Sequence, residues 1–199
     1  NEISGSNVFR WQLLSEDGLP VNASAAITFD VADALSIEPV PHYLVFLSPP
    51  KCKFKNTQSL GRLRHLSRHG CVLCSVSGGV FPLARTKLAV QVPLSVHWCY
   101  QAAFEREFPD YLLSNRIIEI SSSFVTASGS AGGFEVALNL IENRLGSNVS
   151  TEVACWFQHP MMRKTGVSQI TPLPDDSSTK EKLPKLVNDA VDLMQKHIS

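Results

Sequence analysis

The run Cys71-Val-Leu-Cys-Ser-Val76 passes through Ser77-Gly78-Gly79 straight into a helix-forming stretch, Val80–Thr86. A short apolar run of this kind reads as a strand covered on both faces, which is the habit of parallel sheets. Small residues let the chain reverse from strand to helix within three positions. The remaining segments are therefore read as strands and helices in alternation.

Phe9–Ser15 alternates and ends at Glu16-Asp17-Gly18, a hairpin-type turn signal. Val21–Phe29 reads as a second short strand and Asp30–Leu35 as a helical stretch. His42–Leu47 is another continuous apolar run, expected to be covered on both faces, and Ser48-Pro49-Pro50 ends it. Thr57–His69 carries Leu60, Leu63 and Leu66 at helical spacing, with Gly70 as its stop. A strand near Leu94–Val96 precedes a helix over Trp98–Phe108, which Pro109 stops. Arg116–Ile120 and Phe124–Ala127 look like a hairpin. Gly129–Gly133 then opens a helix over Phe134–Leu145, whose buried face is expected at Phe134, Ala137, Leu138, Ile141 and Leu145. A last helix spans Ser150–Gln158. The fold class expected is α/β: a three-layer sandwich with a mostly parallel sheet flanked by helices, in the flavodoxin-like manner.

Residues 166–182 break this style, being rich in Gly, Ser, Thr, Asp and Pro, and read as a linker between a domain at 1–165 and a segment at 183–199. In that segment Pro184 suits a first helical position, and Leu186, Val187, Ala190, Val191 and Met194 form an apolar stripe that wants a partner. Eighteen basic residues balance eighteen acidic ones. Zero net charge argues against direct nucleic-acid binding by this chain, because phosphate contacts require a basic excess. No window is long and apolar enough to span a membrane, and the first residues show no signal peptide. The five cysteines form no disulfide pattern, which favours reduced thiols and a cytoplasmic setting, so the sequons at Asn22 and Asn148 read as chance matches. Cys71 and Cys74 have the spacing of a redox or metal pair, but three positions apart on a strand they point to opposite faces. His65 and His69 have the spacing of two helical metal ligands without an evident third, so a solvated face is expected and no metal.

The chemistry concentrates at the turn after Val76. A hydroxyl at Ser77, presented where a helix begins, has the shape of a nucleophile elbow, although Ser75 stands where the full pattern carries glycine. The same residues make an ordinary tight turn with Ser77 as helix cap. A nucleophilic serine needs a base, and His97, after a strand and before Trp98, is placed to project over the same sheet edge. His42, His159 and His197 read as structural or exposed. The second glycine run, Ser128–Gly133, is no dinucleotide fingerprint and reads as close helix–sheet packing, though both turns could border one crevice.

The stretches HGCVLCSVSGGVFPLARTKL, SVHW, FEREFPD and FVTASGSAGGFEVALNLIENRLG, taken in order, resemble the class I glutamine amidotransferase-like (ThiJ/PfpI-type) domain. More narrowly, they resemble that domain as the N-terminal sensor half of AraC-type transcription regulators. FRWQLLSEDGLPVNAS matches its second strand and turn, and LPKLVNDAVDLMQKHIS resembles the start of the helix-turn-helix half. The resemblance places the family's first strand, and the acidic residue after it, upstream of Asn1. Ser77 stands where catalytic members carry cysteine, and Ser48-Pro49-Pro50 replaces a glycine pair that donates N–H groups, which proline cannot do. The resemblance therefore implies a non-catalytic, ligand-sensing, dimerising domain without a cofactor. Its small-molecule effector would be an amino acid or quaternary amine bound over Ser77, Gly78, His97 and Trp98. DNA would be bound only through a separate C-terminal domain. Trp98 offers such a cation its ring face, or else belongs to the core. Two other readings stand beside this one: a serine-dependent hydrolase, deglycase or amidotransferase-like enzyme using Ser77 and His97, and a purely structural dimerisation module.

Overall fold

Three strands of like direction form the centre of the protein, because the apolar runs around residues 43–47, 72–76 and 124–127 pair side by side. The computed structural model describes residues 2–23, 25–35, 38–159 and 166–171, together with Leu193. His197, the expected C-terminal helix apart from Leu193, and most of the expected linker lie outside the described residues. The chain divides into two compact units, Asn1–Gln169 and Ile170–Ser199, and the fold given below is that of the first. Its elements in order are β1 (Leu14–Ser15), β2 (Val21–Asn22), β3 (Thr28–Phe29), β4 (Asp33–Ala34), β5 (Tyr43–Leu47), α1 (Thr57–Arg68), β6 (Val72–Val76) and α2 (Val80–Arg85). There follow β7 (Leu94–Ser95), α3 (Gln101–Glu107), β8 (Leu113–Ser114), β9 (Ile118–Ile120), β10 (Phe124–Ala127), α4 (Ser130–Leu145) and α5 (Ser147–Trp156).

The main sheet runs β5-β6-β10-β9, parallel except for β9, which forms the expected hairpin with β10. Alternation along the strands then builds two cores. Leu44, Phe46, Leu73 and Phe124 join Leu63 and Leu66 of α1, Leu83 of α2 and Phe104 of α3 in the larger one. Cys74, Val125 and Ala127 join Val136 and Leu140 of α4 on the other face. Helices on both faces of a mostly parallel sheet make the mixed α/β fold expected. Leu63, Leu66, Leu73 and Leu83 are all 0% exposed, and burying each contributes about 1.5–3 kcal/mol. Among the described residues no helix is long and apolar enough to cross a membrane.

The N-terminal third departs from expectation. Only Leu14–Ser15 of the expected strand 9–15 is a strand, and it pairs in parallel with β4 rather than in a hairpin with β2. Gly18 does turn the chain at φ +80°, and Asp17 accepts the Leu19 N–H at 3.2 Å. Glu16, however, is drawn away to α1, where its carboxylate accepts the N–H groups of Lys55 and Asn56, each at 2.9 Å, and the Ser59 hydroxyl at 2.7 Å. Partial burial raises the Glu16 pKa, but these bonds and the nearby Lys55 charge outweigh it and hold the carboxyl below its ordinary range. The expected strand 21–29 breaks into β2 and β3, an antiparallel pair folded about Ala26 at φ +57°. Asp30–Leu35 is no helix. Asp33 accepts the N–H of Ala34 at 2.7 Å and Ala32 donates to Leu13 O at 2.7 Å, bonds that compete with a helical ladder.

Two further expectations are corrected. β5 is an edge strand covered on one face only, since Tyr43, Val45 and Leu47 are exposed while Leu44 and Phe46 enter the larger core. α4 starts at Ser130 and buries Gly132, Glu135, Val136 and Leu138, leaving Ala137 exposed. The helix meets both the sheet and α5, so its covered face is wider than one stripe. At Gly132 a side chain would begin 3.0 Å from Ala127 Cβ, and at Gly133 3.1 Å from Val76 Cγ1, which is the close helix–sheet packing expected of this run.

Candidate functional site

Three strand ends lead into the candidate site: β6 to Ser77 and β10 to Ser128-Gly129 from the main sheet, and β7, which pairs with β8, to His97. β7 is seated beside β10 because the Ser95 N–H donates to Thr126 Oγ1 at 2.7 Å, and the Ser95 hydroxyl reaches Arg116 O and Ile117 O at 2.6 and 3.0 Å. That anchorage fixes where His97, two residues later, emerges.

Ser77 opens a 3₁₀ turn, Ser77–Gly79, and holds φ +52°, the left-handed region that costs a non-glycine residue on the order of 1–2 kcal/mol. The next two positions admit only glycine. A side chain at Gly78 would begin 2.6 Å from Ser48 O, and one at Gly79 2.1 Å from Phe46 O. The Ser48-Pro49-Pro50 loop is thus pressed against the elbow, and Arg85 holds it there. Its guanidinium donates to Pro50 O at 3.0 Å and to Cys52 O, grips Glu107 through two bonds at 2.8 and 3.0 Å, and lies over Phe81 and Phe108. Neither proline brings an N–H to the elbow, and among the described residues the buried Ser48 hydroxyl has no partner.

His97 caps the 3₁₀ turn Trp98–Tyr100. Its Nδ1 accepts the Cys99 N–H at 3.3 Å and lies 2.9 Å from Cys99 Sγ. The ring stands over the second glycine turn, since a side chain at Gly129 would begin 3.5 Å from His97 Cδ2. Trp98 is 39% exposed, so it is not a core residue, and its ring centre is 5.3 Å from that of His97. Tyr100 connects the two turns, 5.8 Å from the His97 ring and 6.1 Å from Phe81, which follows the elbow on α2. Ser77 and His97 therefore belong to neighbouring turns, but no hydrogen bond joins them, and Nδ1 of the imidazole is occupied within its own turn.

Sequence reasoning missed Cys99, Tyr100 and Gln169. The Gln169 side chain accepts the Trp98 N–H at 3.0 Å and donates to Val96 O at 2.8 Å. A histidine two residues before a cysteine was the available signal for the first; Gln169 lay in a stretch read as linker. The other candidates are placed without chemistry. His65 and His69 stack at 4.0 Å on the exposed face of α1, and among the described residues no three His, Cys, Asp or Glu side chains gather to hold a metal. Burial pushes the Cys71 thiol up to about 11 and, with the neighbouring Cys71, the Cys74 thiol up to about 12, the two lying in different cores. A cleft of about 500 Å³ bordered by Glu105, Arg116 and Glu119 contains none of Ser77, Gly78, His97 or Trp98.

No sequence-family model matches the chain. It is 28% identical over 199 residues to the HTH-type transcriptional regulator GbdR of Pseudomonas aeruginosa, covering 100% of this chain and 53% of that protein. It is 24% identical over 172 residues to the HTH-type transcriptional regulator GlxA of Rhizobium meliloti, covering 85% of this chain and 53% of that one. The chain is a homologue of HTH-type transcription regulators. It spans about half the length of these curated relatives. Among solved structures it matches an AraC family transcriptional regulator from Pseudomonas putida with a TM-score of 0.64 at 17% identity, covering 78% of this chain and 85% of that one. It matches a ThiJ/PfpI family protein from Pseudomonas syringae with a TM-score of 0.66 at 13% identity, covering 93% of this chain and 74% of the other. The ThiJ/PfpI-type fold is thereby shown.

Proposed function

We propose that this chain is the effector-sensing part of an HTH-type transcription regulator. It binds a small molecule, an amino acid or quaternary amine, beside Ser77, Gly78, His97 and Trp98, works as a homodimer in the cytoplasm, and does not catalyse a reaction. On this reading residues 1–165 are the sensor, 166–182 a linker, and 183–199 the start of a DNA-binding domain, the DNA contacts lying beyond it. The observation that carries the reading is the pairing of a strained elbow with an unactivated hydroxyl. Ser77 holds φ +52°, yet it has no hydrogen bond to His97, and the two prolines of the loop pressed against Gly78 carry no N–H. Similarity to an HTH-type transcriptional regulator along the whole of this chain, and a fold shared with an AraC family regulator, support a binding use for the elbow. A half-exposed Trp98 beside His97 supplies an aromatic face for a cation.

The test is a thermal-shift screen of amino acids, betaines and carnitine-like compounds. A true effector at a hundred times its dissociation constant stabilises by about 2.7 kcal/mol, several degrees for a domain of this size. Ser77→Trp should abolish the shift. A flat screen, with Ser77→Trp altering no response of the intact regulator, would sink the reading. The strained elbow also favours a second reading, serine catalysis; labelling of Ser77 by a fluorophosphonate probe would establish that one instead.

A further inference from the structure

The chain leaves its first compact unit through residues 167–169, and little apolar burial holds them there. Val167 is 41% exposed and Ser168 is exposed. Hydrogen bonds do the holding. Ile117 N–H donates to Val167 O at 2.8 Å, Gln169 N–H donates to Asn115 O at 2.7 Å, and Arg116 and Ser168 form an antiparallel bridge. The segment is thus one more short strand laid on 115–117.

The side chain of Gln169 uses both ends of its amide away from that strand. Its carbonyl oxygen accepts the Trp98 N–H at 3.0 Å, and its NH₂ group donates to Val96 O at 2.8 Å and Arg116 O at 3.4 Å. One residue therefore ties together the strand end that carries His97, the first residue of the 3₁₀ turn, and the segment 115–117 on which the exit strand lies. We propose that Gln169 is a positioning residue that couples the His97–Tyr100 turn to the exit segment, so that movement of the turn loosens residues 167–169. This regulatory role rests on the reading of that turn as part of the effector site. Physically, a ligand that displaces the Trp98 backbone withdraws one of the few bonds holding a weakly buried strand, the kind of low-stability element that opens locally. Glutamine is suited to the task because it offers acceptor and donor from one planar group; glutamate would set a carboxylate against two carbonyl oxygens.

Amide hydrogen exchange on the full chain tests the coupling without any ligand. Gln169→Met keeps the length and removes the bonds. The amides of Trp98, Ile117 and position 169 should exchange at least tenfold faster, with Leu73 and Val125 in the central strands unchanged. From the other end, Trp98→Pro removes the donated N–H. His97, at φ −56° and ψ 135°, already has the backbone that a following proline requires. Trp98→Pro should speed exchange at Ile117 and Gln169 tenfold, whereas Trp98→Ala, which keeps the N–H, should not. Unchanged exchange at Ile117 and Gln169 in Trp98→Pro overturns the coupling, as does equal acceleration in Trp98→Ala or acceleration that extends to Leu73 and Val125. A failed effector screen would leave these exchange results standing and remove only their regulatory meaning.

Discussion

Val45, Cys74 and Val125 are neighbours in one row across three parallel strands, and their side chains leave the sheet on the same face. Yet Val45 is 42% exposed, while Cys74 and Val125 are 0% and 4% exposed. The strands themselves do not explain the difference, since Tyr43–Leu47 is as apolar as Val72–Val76. What differs is the layer above. Val136 and Leu140 of α4 sit over Cys74 and Val125, and among the described residues no core cluster includes Val45. An apolar run reports that a strand can be buried, but the packing of other elements decides which faces are.

The comparison is broken most forcefully by placing a charge at its two ends. Val125→Asp puts a carboxylate beneath α4 with no cationic partner in its core cluster, and should destabilise by about 4 kcal/mol or fail to fold. Val45→Asp keeps its charge in water and loses only strand preference and a partial contact, about 1 kcal/mol or less. Urea denaturation of the pair measures both. Comparable losses at the two sites would mean that β5 is covered as fully as its neighbours.

The middle of the row offers a finer probe. Burial, together with Cys71, pushes the Cys74 thiol up to about 12 from its ordinary 9.0. Because the folded-state value is raised, the folded chain keeps this proton while the unfolded chain releases it. Stability is therefore fully present below about pH 9 and falls as pH rises from there towards about 12. The slope contributed is at most about 1.4 kcal/mol per pH unit for a single thiol. Denaturation at pH 8 and pH 10.5, repeated with Cys74→Ala, isolates it: the variant should lose part of the alkaline decline. Alkylating reagents at pH 8 should label exposed Cys52, Cys99 and Cys155 and spare Cys71 and Cys74 until the chain unfolds.

The centre of the fold was legible because its information is local. Cys71–Val76 with Ser77-Gly78-Gly79 specifies strand, turn and helix within the stretch Cys71–Thr86, and Leu63 and Leu66 announce a buried helix face by spacing alone. The N-terminal third was not, because its strands are only two residues long and single side-chain bonds redirect the chain around them. Glu16 belongs by sequence to a turn but by bonding to the start of α1, and Asp33 turns an apparent helix into a strand by bonding its own neighbour. At the candidate site, Ser77 and His97 could be named from strand–turn–helix grammar. The bonds that decide what they can do come from Cys99 and Gln169. One is hidden by proximity within a turn, and the other lies 71 residues beyond Trp98.

The smallest effect is the most discriminating, because it holds shape constant. Threonine matches valine in volume and branching, so Val→Thr changes a methyl to a hydroxyl and leaves strand preference nearly intact. At Val125 the new hydroxyl lies in a core whose nearest side chains, Cys74, Ala127 and Val136, offer it little, and the loss should be about 1–3 kcal/mol. At Val45 the hydroxyl meets water, and stability should stay within about 0.5 kcal/mol of the parent. Paired denaturant midpoints, with equal m-values as the check on two-state behaviour, read the difference directly. The two losses would converge if the face of β5 were shielded from water as that of β10 is. A gap of 1 kcal/mol or more means that one row of one sheet passes from protein interior to solvent within two strands.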